Sequence, residues 1–398
     1  MFTKTFFFVL VCSLCLLNSP ALAASGWKKS GITHSVVLGA AAPSKSVAFF
    51  GGADNGAGAE AFVTTDGGAN FVTSTPGGFS YFDVGATDTQ TAVLSGFLGG
   101  KRTSDQGKTW ESILSPLSQC QSVEKMAGKT DAIGMAGHSG ENNGVATSED
   151  GGKSWSFHKA SPGLNFTNGE HARYAAYPSA DVWYVSGGMW SRSYEEKILK
   201  KHACSKGPEN NDRGTVHHLL TDRIGLCSGG GYEILPHVVE EGDGDGYVAA
   251  IAKTVDGGKT FTNVFRSAGK FYMNGIHCAS EDHCIAVAEG HNVPQPGTFI
   301  VVTHDGGKNW NVTKVGGPRD TLMASRDIDG KEGWALGGVL AIDMELRAWH
   351  TLNGGTSFTN DGAGVKGITV LSADFASSDA GYAACVTPAS TSTMAFYN

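Results

Sequence analysis

Six times between Thr64 and Phe358 the chain places a Ser or Thr two residues before Asp or Asn, a Gly two residues after it, and a Phe or Trp three residues further on. The copies centre on Asp66, Asp105, Asp150, Asp256, Asp305 and Asn353. A unit that recurs in this way cannot bury its own apolar face and must stack on its neighbours, so the repeat constrains the architecture before any single residue is considered.

Each element of the pattern has a physical reason. Asp or Asn accepts hydrogen bonds from backbone N–H groups just ahead of it, and Gly adopts positive φ without a Cβ clash, so Asp-Gly-Gly closes a tight turn. Upstream stand short β-branched and aromatic runs free of Pro, such as Glu60-Ala-Phe-Val-Thr64, Tyr247-Val-Ala-Ala-Ile251 and Thr298-Phe-Ile-Val-Val-Thr303. Downstream, the Trp or Phe begins a partner strand and offers a large apolar face to an adjoining unit. The pattern therefore predicts the last hairpin of a recurrent small sheet.

These residues resemble the Asp-box, or BNR repeat, of β-propellers. The resemblance implies a turn between the third and fourth strands of each blade and a structural role for the six carboxylate or amide side chains. Later segments, notably Asp329-Gly-Lys-Glu-Gly-Trp-Ala-Leu-Gly337 and the Asp-Gly-Gly-Lys turns, are similar to those of photosystem II assembly propellers and their relatives. That likeness covers blades rather than ligand-binding residues.

Successive turn residues lie 39, 45, 106, 49 and 48 positions apart. Four intervals suit a four-stranded blade; the long one does not. Early blade strands are expected at Val36–Gly52, Tyr81–Gly96, Val123–Gly137, Tyr174–Gly188, Gly275–Gly290, Met323–Gly338 and Thr369–Val386. The expectation is an all-β protein, a seven-bladed propeller of four-stranded antiparallel blades spanning residues 24–398. One blade carries an insertion at about 189–246. The last unit, ending near Met394-Ala-Phe-Tyr397, takes its fourth strand from Gly26-Trp-Lys-Lys-Ser30, which closes the ring and removes exposed edges. An eight-bladed alternative places a decayed turn near Leu220-Thr-Asp-Arg-Ile-Gly225.

Lys4, the apolar run from Phe6 to Leu17 and Ala21-Leu-Ala23 form a secretory signal over residues 1–23, and no later run is long enough to span a membrane. The expectation is a secreted, monomeric protein. A net charge of −8 without a basic block argues against a nucleic-acid partner. In an exported chain the cysteines suggest disulfides. Cys278 and Cys284 flank a turn between two strands and Cys204 and Cys227 can staple the insertion, whereas Cys120 and Cys385 are left unpaired. Cys12 and Cys15 leave with the signal, no Cys-x-x-Cys spacing occurs among the remaining cysteines, and no metal and no cofactor are assigned. Asn165-Phe-Thr167 and Asn311-Val-Thr313 fit the N-glycosylation sequon.

In a propeller the loops joining strands two and three, and those joining blades, open on the face opposite the repeat turns. Polar and aromatic residues on a rigid loop face are the usual material of recognition, and here they are His138, Glu141, Glu170, His171, Arg173 and His291, with Trp190, Arg192 and His217 in the insertion. Two functions compete. Asp-box propellers include sialidases, which need an arginine cluster and a Tyr/Phe-Arg-Ile-Pro segment; residues 24–64 contain no arginine, so a sialidase is disfavoured. A non-catalytic module binding a protein or carbohydrate ligand is the primary reading. A glycan-cleaving hydrolase or lyase using Glu170 with a loop Asp is the runner-up.

Overall fold

The computed structural model describes residues 37–386 apart from 55–57, 79, 98, 141, 166–169, 190–215, 219–223, 228–230, 235–246, 292 and 340–342, together with the strands Phe7–Cys12, Trp27–Lys29 and Met394–Phe396. Among the described residues six antiparallel four-stranded sheets form blades at 37–74, 81–113, 119–159, 171–268, 272–314 and 320–360. A hairpin of Thr369–Ser377 and Ala380–Val386 stands between the sixth blade and the first.

The blade count is therefore six, not seven or eight. The seventh pair of early strands exists, but no repeat turn follows it, so its chain does not fold back into a third and fourth antiparallel strand. Instead Phe7–Cys12 pairs parallel to Ala380–Val386, and Trp27–Lys29 lies parallel to Phe7–Cys12. Met394–Phe396 joins Gly231–Ile234 in a separate small sheet with Ile224–Cys227 and Val216–His218. The strands near Leu220 thus belong to that sheet rather than to an eighth blade. In the fourth blade Trp183–Met189 pairs directly with Val248–Thr254, so the intervening chain leaves between the second and third strands.

All six repeat turns share one hydrogen-bond arrangement. The Ser or Thr hydroxyl donates to the Asp or Asn Oδ1 and accepts from the second Gly N–H at 2.8–3.0 Å. The same Oδ1 accepts the N–H four residues on. In every blade the residue after the Asp or Asn also donates its N–H to a carbonyl in the loop between strands one and two, again at 2.8–3.0 Å. Two otherwise separate loops are clasped together at the same end of each blade.

The aromatic residue of each turn packs towards the preceding unit. Trp110 joins the core of the first and second blades, Trp155 that of the second and third, and Phe358 that of the fifth and sixth, while Phe71 packs beside Phe50 and the hairpin's Tyr382. The second Gly lies at the same interface. Gly152 has φ 91°, and a Cβ there would stand 2.6 Å from Val93 Cγ2 in the second blade. Gly152→Ala is expected to lower unfolding free energy by about 2 kcal/mol or more, from backbone strain plus overpacking, in urea denaturation.

The side chain four residues on, Asn70, Thr109, Thr260 or Asn309, is the main influence holding Asp66, Asp105, Asp256 and Asp305 below the usual carboxylate range, Asp105 at about 2. At Asp150 a burial penalty pushes upward, and hydrogen bonds led by the Ser154 hydroxyl outweigh it. A depressed native pKa gives stability that is present above the unfolded value, about 4, and is lost as pH falls through the native one. Circular dichroism should show melting temperature dropping between about pH 4 and 2. Asp105→Asn should keep the fold, as Asn353 does, and weaken that drop.

Candidate functional site

The innermost strands of the blades and of the hairpin lie around a central cavity, and each carries a register slip. Register slips between Val37 and Gly39, Tyr81 and Asp83, Cys120 and Ser122, Ala172 and Tyr174, Met273 and Gly275, Leu322 and Ala324, and Val370 and Ser372. A bulge leaves one residue out of the ladder and re-aims its side chain. The skipped residues are Leu38, Phe82, Gln121, Arg173, Asn274, Met323 and Leu371. Phe82, Gln121, Asn274, Met323 and Leu371 line a cavity of about 40 Å³ on the axis.

This set of residues is amphipathic. Arg173 is buried; its Nε donates to Gln121 Oε1 at 2.5 Å and its Nη1 to the Met273 carbonyl at 3.3 Å, with the guanidinium 5.4 Å from the ring centroids of Tyr174 and Tyr272. Asn274 Nδ2 donates to the Leu322 carbonyl at 3.1 Å. Opposite this polar arc lie Met323, Leu371 and Phe82.

The expected loop-face residues that the structure describes do not form a set of free groups. His138 and His171 meet edge to face, with ring centroids 4.7 Å apart. Burial, aided by the nearby Arg173, lowers the His138 pKa and favours its neutral form. Glu170 is 1% exposed; Oε2 accepts the Asn165 N–H at 2.8 Å, and Oε1 is ion-paired with Arg266. His291, expected in an exposed loop, is also 1% exposed, with Nδ1 3.2 Å from the Pro318 carbonyl and Nε2 3.5 Å from Glu289. Glu141, Trp190 and Arg192 fall outside the described residues, and His217 is described only as part of its strand.

Several central residues had not been singled out from the sequence. Glu289 accepts the Tyr272 hydroxyl at 2.5 Å and the Thr321 hydroxyl. Deeper along the axis Arg326 joins Glu124 at 2.8 Å and Asp374 at 3.1 Å, tying the sixth blade to the third and to the hairpin. Asp83 accepts the Val123 N–H at 3.0 Å. Their distances to the following repeat turn differ from blade to blade, and Asp374 has no such turn after it, so alignment of the repeats does not bring them together.

Elsewhere, Cys278 and Cys284 are register partners and form a disulfide. Cys120 is buried, and burial pushes its thiol up to about 12. Cys204 lies outside the described residues, and Cys227 and Cys385 end or lie in strands of different sheets. Asn165 and Asn311 are exposed. Among the described residues no three His, Cys, Asp or Glu side chains converge as metal ligands, and no helix is long and apolar enough to cross a membrane.

The closed ring of four-stranded blades around a channel defines a β-propeller. No family profile and no curated protein matches the chain. Among solved structures it is similar to YCF48 bound to a D1 peptide, with 13% identity over 88% of this chain and 89% of that one and a TM-score of 0.52. It is also similar to the WD40 β-propeller domain of Doa1, with 9% identity, coverage of 87% and 89% and a TM-score of 0.48. A third is the GH74 enzyme of Niastella koreensis, with 12% identity, coverage of 84% and 62% and a TM-score of 0.43. At 13% identity the likeness to YCF48 bears on the propeller fold and on nothing finer.

Burial pushes Asp83 up to about 7 and Glu124 up to about 8, against the pull of Arg326, while burial lowers His277 to about 4. Carboxylates raised in the native state hold protons that the unfolded chain has released, so stability falls as pH rises from about 4 through 8. Arg326→Leu leaves the three carboxylates without their cation. It should cost about 3–5 kcal/mol near pH 8 and less near pH 5, measured by chemical denaturation at both.

Proposed function

We propose that this protein is an exported, non-catalytic Asp-box propeller that binds a protein or carbohydrate ligand at the mouth of its axial channel. The observation that carries the reading is the set of bulges. Seven strands each release one side chain from the ladder, giving a polar arc of Gln121, Arg173 and Asn274 beside an apolar arc of Leu38, Phe82, Met323 and Leu371; all but Gln121 are at most 4% exposed, so a ligand would engage them by way of the central cavity. Convergent polar groups beside apolar side chains are the material of a recognition site.

The carboxylates of this face support binding over glycan cleavage. Glu170, the runner-up's candidate acid, is buried and committed to Arg266 and the Asn165 amide, and Glu289 to two hydroxyls. A held carboxylate of this kind organises a surface rather than shuttling protons. YCF48 was solved with a peptide bound, so the fold can present a peptide-binding surface, and a peptide segment is the favoured ligand. The Cys278–Cys284 disulfide supports export.

Peptide display and a glycan array on the purified protein, with calorimetry of the selected ligands, test this reading. Phe82→Ala and Gln121→Ala are expected to weaken the selected ligand roughly tenfold or more each, as truncation at a central contact does. Turnover of any member of a polysaccharide panel that disappears in Glu170→Gln would overturn the binding-only reading.

A further inference from the structure

We propose that the axial cavity beneath the channel mouth is a site for a monovalent cation of about the size of a water molecule, sodium or potassium. The first support is charge. Asp83 and Glu124 line the cavity together with Arg326, which also pairs with Asp374 beside it. When all are ionised, three carboxylates confront one guanidinium, and the low-dielectric surroundings make that imbalance costly.

The second support is independent of charge. Asn274, which lines the cavity, is fully buried; its Nδ2 donates to the Leu322 carbonyl, while its Oδ1 has no hydrogen-bond donor among the described residues. Ser325, 2% exposed, likewise lines the cavity with an Oγ that has no hydrogen-bond partner among the described residues. Buried polar atoms are rarely left unmatched, and an unmatched acceptor calls for a donor or a cation. The cavity, about 40 Å³, has room for roughly three waters, or for one small cation that keeps some of its hydration.

Charge and size together select the ion class. A divalent ion needs several carboxylates free to coordinate it directly; here Glu124 and Asp374 are engaged by Arg326, and among the described residues no three acidic, His or Cys side chains are placed to hold such an ion. Water alone would satisfy Asn274 and Ser325 but leave the excess negative charge in place. A monovalent ion served by neutral oxygens and neighbouring carboxylates answers both needs.

The alternative neutraliser is the proton, so cation and proton should compete. The groups that set the competition are Asp83, Glu124, Asp374 and Arg326 on the axis, His277 and Asp327 from the fifth and sixth blades, and Arg173 at the mouth. His277 Nδ1 accepts the Asp327 N–H at 3.1 Å and remains neutral, adding no charge of its own.

The test replaces choline chloride with sodium or potassium chloride at constant ionic strength while the melting temperature of the whole protein is followed. Near pH 8.5, where Asp83 and Glu124 lose their protons, the proposal expects a saturable rise of a few degrees. Near pH 5.5 the rise should disappear. Glu124→Gln and Ser325→Ala should each reduce it at the higher pH. If Glu124→Gln does not fold, sodium NMR line broadening on the wild-type protein, reversed by potassium but not by choline, provides a second measure. An equal effect of choline, an unchanged response in Ser325→Ala, or no broadening overturns the proposal. Ligand selection at the channel mouth is scored separately, so the two readings fail independently.

Discussion

The innermost strand of a blade has a ladder neighbour on one side only, and the groups on its other side must still be satisfied. Here side-chain oxygens from the adjoining unit do this. Asp83 accepts from Val123, Ser122 from Ala175, Ser372 from Ala40, Asp374 from Ala42 and Asp327 from Ala279, at 2.7–3.3 Å. A buried amide left without an acceptor costs about 1–3 kcal/mol, so this inner belt holds the units in register with one another. The bulges put the acceptors within reach, and the same bulges create the channel mouth. Ring closure and the arrangement of side chains around the central cavity thus share one cause.

At the other end of each blade the repeat turns do a different task. Their hydrogen bonds are short in sequence, from the hydroxyl residue to about six positions on, and their glycines allow the neighbouring blade to approach closely. One end is fixed by a uniform set of local contacts, while the opposite end varies from blade to blade in loop length and residue type. At the uniform end His283 is one of several side chains that reach the next blade, facing Asp327 Oδ2 at 2.5 Å and the Gly354 carbonyl at 3.0 Å. The adjacent Cys278–Cys284 bridge fixes the loop that presents it.

What was legible in the sequence follows from range. Each repeat turn is built by residues within eight positions of one another, so Asp66 or Asp150 declares its role locally. The early strand pairs, read from alternation and glycine stops, also appear where expected. Blade completeness was less legible. The outer strand of the sixth blade is only Thr359–Asn360, and whether the final hairpin acquires further antiparallel strands depends on pairings between distant parts of the chain. At the site, Glu170 could be placed on the loop face from sequence, but not its burial against Arg266. Gln121, Asn274 and Arg326 gave no local signal, because a bulge is a property of register rather than of residue type.

Closure of the ring has a consequence for how the chain must be made. The Ala40 amide is satisfied by Ser372, and Ala42 by Asp374, each across 332 positions of sequence. A ribosome delivers the first blade long before the residues that complete it exist, and contacts of such sequence separation form slowly. Through most of synthesis the early blades are an open arc whose inner amides and Phe50–Phe62 face await a partner. The acidic and hydroxyl side chains of the last hairpin are thus the signature that the whole chain has arrived.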